Sequence, residues 1–142
     1  MINWVCKYWL LFSLQSVGAL IMLWKGVPFY RNFLSGAIDP GYQNTLWALV
    51  VLLLIQPCYW VGRRFDVSVE IGHVQVVTGH AVLFIGRLVF VFVGGLFSAV
   101  FYMGLAEFHF SSKIIFLVAL LFSMFCYTLE MERLGKNLIG LP

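Results

Sequence analysis

Four long apolar runs, separated by short stretches that hold nearly all of the charge, dominate this 142-residue chain. A run of about 20 apolar residues is long enough, as a helix, to cross a hydrocarbon layer roughly 30 Å thick. Inside such a layer every backbone polar group must be paired within its own segment, so an isolated run of this kind has helix as its local structure. The runs occupy about residues 4–24, 45–62, 80–105 and 113–134. They predict a single all-α integral membrane domain over 1–142, a four-transmembrane-helix bundle with short loops and both termini on one side.

Composition agrees with lipid as the solvent. Hydrophobic residues make up 62% of the chain and charged residues 11%, against about 45–50% and about 25% in soluble domains. The net charge of +3 comes from basic residues scattered singly, with no stripe to grip phosphates, so direct nucleic-acid binding is not expected. The first run follows a short head and lacks a small-residue cleavage site, which reads as an uncleaved first span. Trp4, Tyr8 and Trp9 at one end of it and Trp24 at the other suit aromatic belts.

Between the runs, Pro28 to Gly36 suggests a short interfacial helix begun by proline and ended by glycine, and Asp39-Pro40-Gly41 marks a turn. Thr45 is a candidate cap for the second span, within which Pro57 predicts a kink. Residues 65–71 alternate apolar and polar with a period of two, which fits either an amphipathic strand seeking a partner or an irregular connector. With four spans, Lys7, Arg63, Arg64, Arg133 and Lys136 share one side, against Lys25, Arg31 and Lys113 on the other. That imbalance places the termini in the cytoplasm, with a bacterial inner membrane as the expected location. The fourth helix is expected to run to Gly135.

Cys6, Cys58 and Cys126 are an odd number of thiols on a reducing side, with no C-x-x-C pair, and read as small core residues. His73, His80 and His109 offer no facing pair at one depth, so neither haem nor metal is expected, nor any other cofactor. No Ser-His-Asp set, H-E-x-x-H or Gly-rich phosphate loop is present.

The exception to charge exclusion is Arg87, inside the third run. His73, His80, Arg87 and Gly94 recur at sevens and lead to Ser98 and Tyr102, tracing one helix face expected to turn away from lipid. Gly94 with Ser98, and Gly95 with Ala99, are small-x-x-x-small pairs that allow close helix approach. Arg87 lies 18 residues before Leu105 and Glu130 lies 18 after Ser112, so the two fall at one depth. An interhelical Arg87–Glu130 ion pair, with Gly94 opposite Ser123, is therefore expected; the alternative is an Arg87 that snorkels to the headgroups. Gln15 and Gln56, near mid-span, are candidates for hydrogen bonds across helices.

The leading functional expectation is a non-enzymatic membrane subunit that self-assembles or docks another protein subunit. Its docking surface would be the C-terminal tail and the 63–79 loop, through Arg63, Arg64, Phe65, Val67, Val69, Glu70 and Ile71. An accessory, immunity, exclusion or defence component fits that description. The alternative is an oligomeric ion-conducting pore or membrane-state sensor that uses the Arg87 face.

Overall fold

In a computed structural model, residues 4–34, 41–65, 72–104 and 112–141 are described. They form four helices and, among the described residues, no strand: α1 (Trp4–Leu34), α2 (Gly41–Gly62), α3 (His73–Gly104) and α4 (Ser112–Ile139). The all-helical class expected from the apolar runs is therefore observed. Two segments, Cys6–Lys25 and His73–Gly95, are long and apolar enough to cross a membrane, while Leu46–Gly62 is apolar but shorter.

The helices pack as two hairpins, α1 on α2 and α3 on α4, joined chiefly where α2 meets α4. Contacts at one end fix their directions. Tyr8 near the start of α1 packs with Leu134 and Leu138 near the end of α4, and Gly79 near the start of α3 approaches Gly135. At the same end Arg133 reaches Gly62, the last residue of α2. Helices consecutive in the chain therefore run antiparallel, α2 and α4 run parallel, and the start of α1 lies beside the end of α4. The main core gathers Ala19, Val51, Ile55, Val89, Leu120, Met124, Tyr127 and Met131 from all four helices.

All four helices outrun their expected bounds, α3 by starting at His73 in place of His80, so that residues 73–79 of the expected 63–79 docking loop are helical. α1 continues through Pro28 to Leu34 in place of a separate interfacial helix, and α2 starts at Gly41, four residues before Thr45. α4 passes through Gly135 and stops at Gly140, whose φ of 72° is the left-handed conformation that glycine adopts without strain. There the Leu141 N–H bonds the Lys136 carbonyl at 3.0 Å and the Gly140 N–H bonds that of Asn137 at 3.3 Å, the paired pattern of a Schellman cap.

Gly135 has another task. A Cβ there would lie 2.6 Å from Leu83 Cγ and 3.1 Å from the Gly79 carbonyl oxygen, and a Cβ on Gly79 would lie 2.9 Å from the Gly135 carbonyl oxygen. These two backbones meet because neither residue carries a side chain. One heptad along α3, Gly86 sits under Met131 with its Cβ position 3.2 Å from Met131 Cβ. The α3 packing row is thus Gly79 and Gly86, one residue earlier than the Arg87–Gly94 row singled out in the sequence. Among the described residues, Gly94 and Gly95 have nothing within 4 Å of their Cβ positions, and Ser98 is exposed with its hydroxyl on the Gly94 carbonyl. Among the described residues they do not form a packing face, and Gly94 is not opposite Ser123. Ala99 belongs to α3.

Forcing a methyl group into a packed contact costs about 1–3 kcal/mol. Gly135→Ala and Gly79→Ala are therefore expected to lower the melting temperature followed by circular dichroism in detergent, whereas Gly94→Ala leaves it unchanged or slightly higher. Equal effects at Gly94 and Gly135 would contradict this packing.

Candidate functional site

Glu130 is completely buried, and a buried carboxylate must find donors. Tyr8 Oη on α1 donates to its Oε1 at 3.0 Å, and Arg133 Nη1, one turn along α4, reaches the same oxygen at 3.5 Å. Arg133 does more than neutralise Glu130. Its Nη2 donates to the Phe65 carbonyl at 2.6 Å and its Nη1 to the Gly62 carbonyl at 3.4 Å. A helix leaves its last carbonyls unpaired and its C-terminus partly negative, so a guanidinium at that point caps α2 in both senses.

The remainder of the charged end is built around this pair. Arg63 donates from Nε and Nη2 to Tyr59 Oη, at 3.2 and 2.9 Å, one turn back on α2. That hydrogen bond raises the Arg63 pKa above its ordinary value. Gln15, 1% exposed, lies beside Gly62, with Nε2 3.7 Å from the glycine's Cβ position. Gln15 Oε1 and Glu130 Oε2 are buried with no hydrogen-bond partner among the described residues.

Toward mid-bundle, Gln56 Nε2 donates to Ser123 Oγ at 3.0 Å and lies 3.8 Å from Cys126 Sγ, while its Oε1 accepts from Trp60 Nε1 at 3.1 Å. Tyr127 Oη donates to Ser16 Oγ at 3.1 Å. α4 thus receives polar contacts from both helices of the other hairpin. Gln56 does cross between helices as its mid-span position suggested, but to α4 and not to Gln15.

Arg87 and Glu130 are not brought together. Gly86 packs against Met131 and the Thr128 carbonyl, so Arg87 does share the level of Glu130. The two side chains point apart: Glu130 faces α1 and α2, and Arg87 is exposed on the outer side of α3, where it and Glu132 line one small cavity. The expected ion pair is replaced by Glu130–Arg133. An i, i+3 relation between acid and base on one helix was the available signal for it. Tyr8 was harder to find, because a tyrosine near a helix end reads equally well as an interfacial aromatic.

Of the loop residues, Arg63 and Arg64 are exposed, whereas Phe65 is half-buried and packs against Tyr8, Leu134 and Leu138. Phe65 roots the loop and does not project from it. Val67, Val69, Glu70 and Ile71 lie outside the described residues, as does His109. His73 and His80 are exposed, Cys58 and Cys126 are buried free thiols and Cys6 is an exposed one. Among the described residues no three His, Cys, Asp or Glu side chains are grouped so as to hold a metal.

Removing one member of a fully buried ion pair costs about 3–5 kcal/mol, and replacing both members by apolar groups is often neutral. A fifth of the Arg133 side chain remains exposed, so Arg133→Met is expected to cost about 2–3 kcal/mol. Adding Glu130→Gln should recover more than half of the loss in melting temperature, and Arg87→Ala should cause none. Destabilisation by Arg87→Ala matching that of Arg133→Met would restore the discarded pair.

Hydrogen bonds between helices in membranes contribute about 0.6–2 kcal/mol. A double-mutant cycle of Gln56→Leu and Ser123→Ala is expected to give a coupling in that range, and additive single effects would show that the contact contributes nothing. No protein-family model matches the chain, and no curated protein or solved structure matches it.

Proposed function

We propose that the chain is a non-enzymatic membrane subunit whose four helices all cross the bilayer, and whose charged end docks a partner protein or further copies of itself. The outer surface supports the membrane setting. Leu10, Leu20, Leu53, Phe84 and Val91 are between 62% and 70% exposed, an apolar coat that calls for lipid. Only 17% of the His73–Gly95 window is buried, unlike the core helix of a soluble protein.

α2 and α4 run antiparallel to the two long apolar segments and lie against them. At 22 and 28 residues they reach about 33 and 42 Å, enough to cross alongside. Ser123, Thr128 and Glu130 lower the hydropathy of α4, yet all three are buried. Trp9 and Trp60 stand exposed toward one end, and Trp24 and Trp47 toward the other, where Lys25 Nζ lies 5.5 Å from the Trp47 ring centroid. Lys7, Arg63, Arg64, Arg87, Arg133 and Lys136 collect toward the end that holds both termini, which favours that end as cytoplasmic, as in a bacterial inner membrane.

The observation that carries the docking reading is the grip of Arg133 on the Gly62 and Phe65 carbonyls. It holds the root of the loop, Gly62 to Phe65, against α4, so the exposed Arg63 and Arg64 are held at that end of the helices. An accessory subunit, or an immunity, exclusion or defence component, fits this arrangement. One observation favours the second reading, an oligomeric pore or membrane-state sensor. Arg87, Gly94, Ser98 and Tyr102 all remain exposed on α3, as a pore-lining face would in a single chain.

The protein is expected to resist alkaline carbonate extraction and, in native mass spectrometry from mild detergent, to exceed the 16.2 kDa of one chain. The excess should be further copies or a second protein in fixed ratio, lost on combining Arg64→Glu with Val67→Asp. A single-chain mass for the wild type overturns docking, ion conduction in liposomes establishes the pore, and release by carbonate overturns the membrane setting itself.

A further inference from the structure

On the outer side of α3 and α4 an open groove of about 340 Å³ runs between Phe90, Val93 and Gly94 on one helix and Val118, Phe122 and Phe125 on the other. Gly94 opens it, since no atom of the described residues lies within 4 Å of where its Cβ would stand. A hollow of about 200 Å³ continues the groove, shares Phe90, Phe125 and Thr128 with it, and has Arg87 and Glu132 at its mouth. The mouth is level with the Glu130–Arg133 cluster at the charged end. Gly94 lies two turns, about 10 Å, further along α3 toward the other end.

The charges at the mouth are unequal. Glu132 is matched by Lys136 at 3.1 Å, whereas Arg87 has neither an ion pair nor a hydrogen bond among the described residues. An unmatched guanidinium beside an apolar, aromatic-walled slot is complementary to a group with a phosphate at one end and hydrocarbon at the other. We infer that this groove seats one anionic phospholipid, with an acyl chain along Phe90, Gly94 and Phe122 and the phosphate on Arg87. The inference rests on the membrane-spanning reading given above.

A second copy of the chain fits the slot less well. A two-fold contact through this face would bring two unmatched Arg87 side chains together, and Phe90, Phe122 and Phe125, all exposed, would hold a whole helix away from Gly94. A zwitterionic lipid supplies the same hydrocarbon but adds a cation beside Arg87, so the headgroup preferred is one with net negative charge.

The test uses the full chain in mild detergent, mixed with phosphatidylglycerol or phosphatidylcholine and examined by native mass spectrometry. The wild type is expected to retain one phosphatidylglycerol, at least about fivefold over phosphatidylcholine, the discrimination that one basic side chain near anionic lipid provides. Arg87→Ala should abolish that preference, Gly94→Phe should lose both lipids, and Arg64→Ala, an exposed charge outside the groove, should behave as wild type. Equal retention of the two lipids, an undiminished preference in Arg87→Ala, or displacement of phosphatidylglycerol by inorganic phosphate alone overturns the inference. A mass gain of one whole chain that Gly94→Phe removes assigns the groove to a second copy and likewise overturns it. Carbonate extraction of the same variants separates the two readings. Lost lipid with the protein still membrane-bound defeats only the groove, whereas release from the membrane defeats the spanning reading.

Discussion

A carboxylate with no exposure sits inside the helical packing at Glu130, and the arrangement of three helices follows from how it is satisfied. Tyr8 must face it from α1, which fixes the rotation of that helix and turns Gln15, seven residues on, into the interior. Arg133 must lie beside it on α4, and from there the guanidinium reaches the last carbonyl of α2. Leaving either partner out would strand a buried charge, so the three helices are coupled at one end through a single group. Gln56–Ser123 and Tyr127–Ser16 repeat the coupling nearer the middle. In the proposed bilayer setting, where burial of apolar surface does not sort one helix face from another, such bonds and close packing decide which faces meet.

α3 is attached by the other means. Its glycines at 79 and 86 let backbone approach backbone at Gly135 and bring Met131 onto the helix, with no charged group involved. Polar contacts fix α1, α2 and α4, and steric fit fixes α3 on α4. The division explains how a helix that carries an arginine within its apolar length can pack closely while that arginine stays outside. The packing row and the Arg87 row are neighbours on α3, one residue and about 100° apart.

That offset marks what the sequence makes legible. Counting residues outward from the connecting loop placed Arg87 and Glu130 at one depth, and the contact of Gly86 with Met131 and Thr128 agrees with it. Depth follows from helical rise alone. Direction around the axis does not, because rows at 72, 79, 86 and at 73, 80, 87, 94 have the same seven-residue period, and the polar row looks like the one that should be buried. Close approach depends on the absence of a Cβ, which selects the glycine row. The helix ends teach a related lesson. Gly135 carries the composition of a terminator but serves the α3 crossing, and the chain continues one more turn to Gly140, where the left-handed conformation is used. Pro28 likewise fails to end α1. The number of helices and their class depend only on long apolar runs and were readable, whereas the role of each glycine depends on the neighbouring helix.

Two charges at one level of the helical packing therefore meet opposite solutions. Glu130 turns inward and is neutralised by groups of its own chain, which makes it a structural carboxylate. Arg87 turns outward from the most apolar of the helices; on the proposed membrane-spanning reading an unmatched charge there costs about 2.5–3.5 kcal/mol near the bilayer centre and less toward the headgroups. Among the described residues nothing from the chain offsets that cost, although Glu132 stands at the same mouth, because Lys136 already holds it. On the proposed membrane-spanning reading, the compensation comes from lipid. At headgroup depth the abundant anion is phosphate, and Gly94 opens the adjoining groove to the hydrocarbon attached to it.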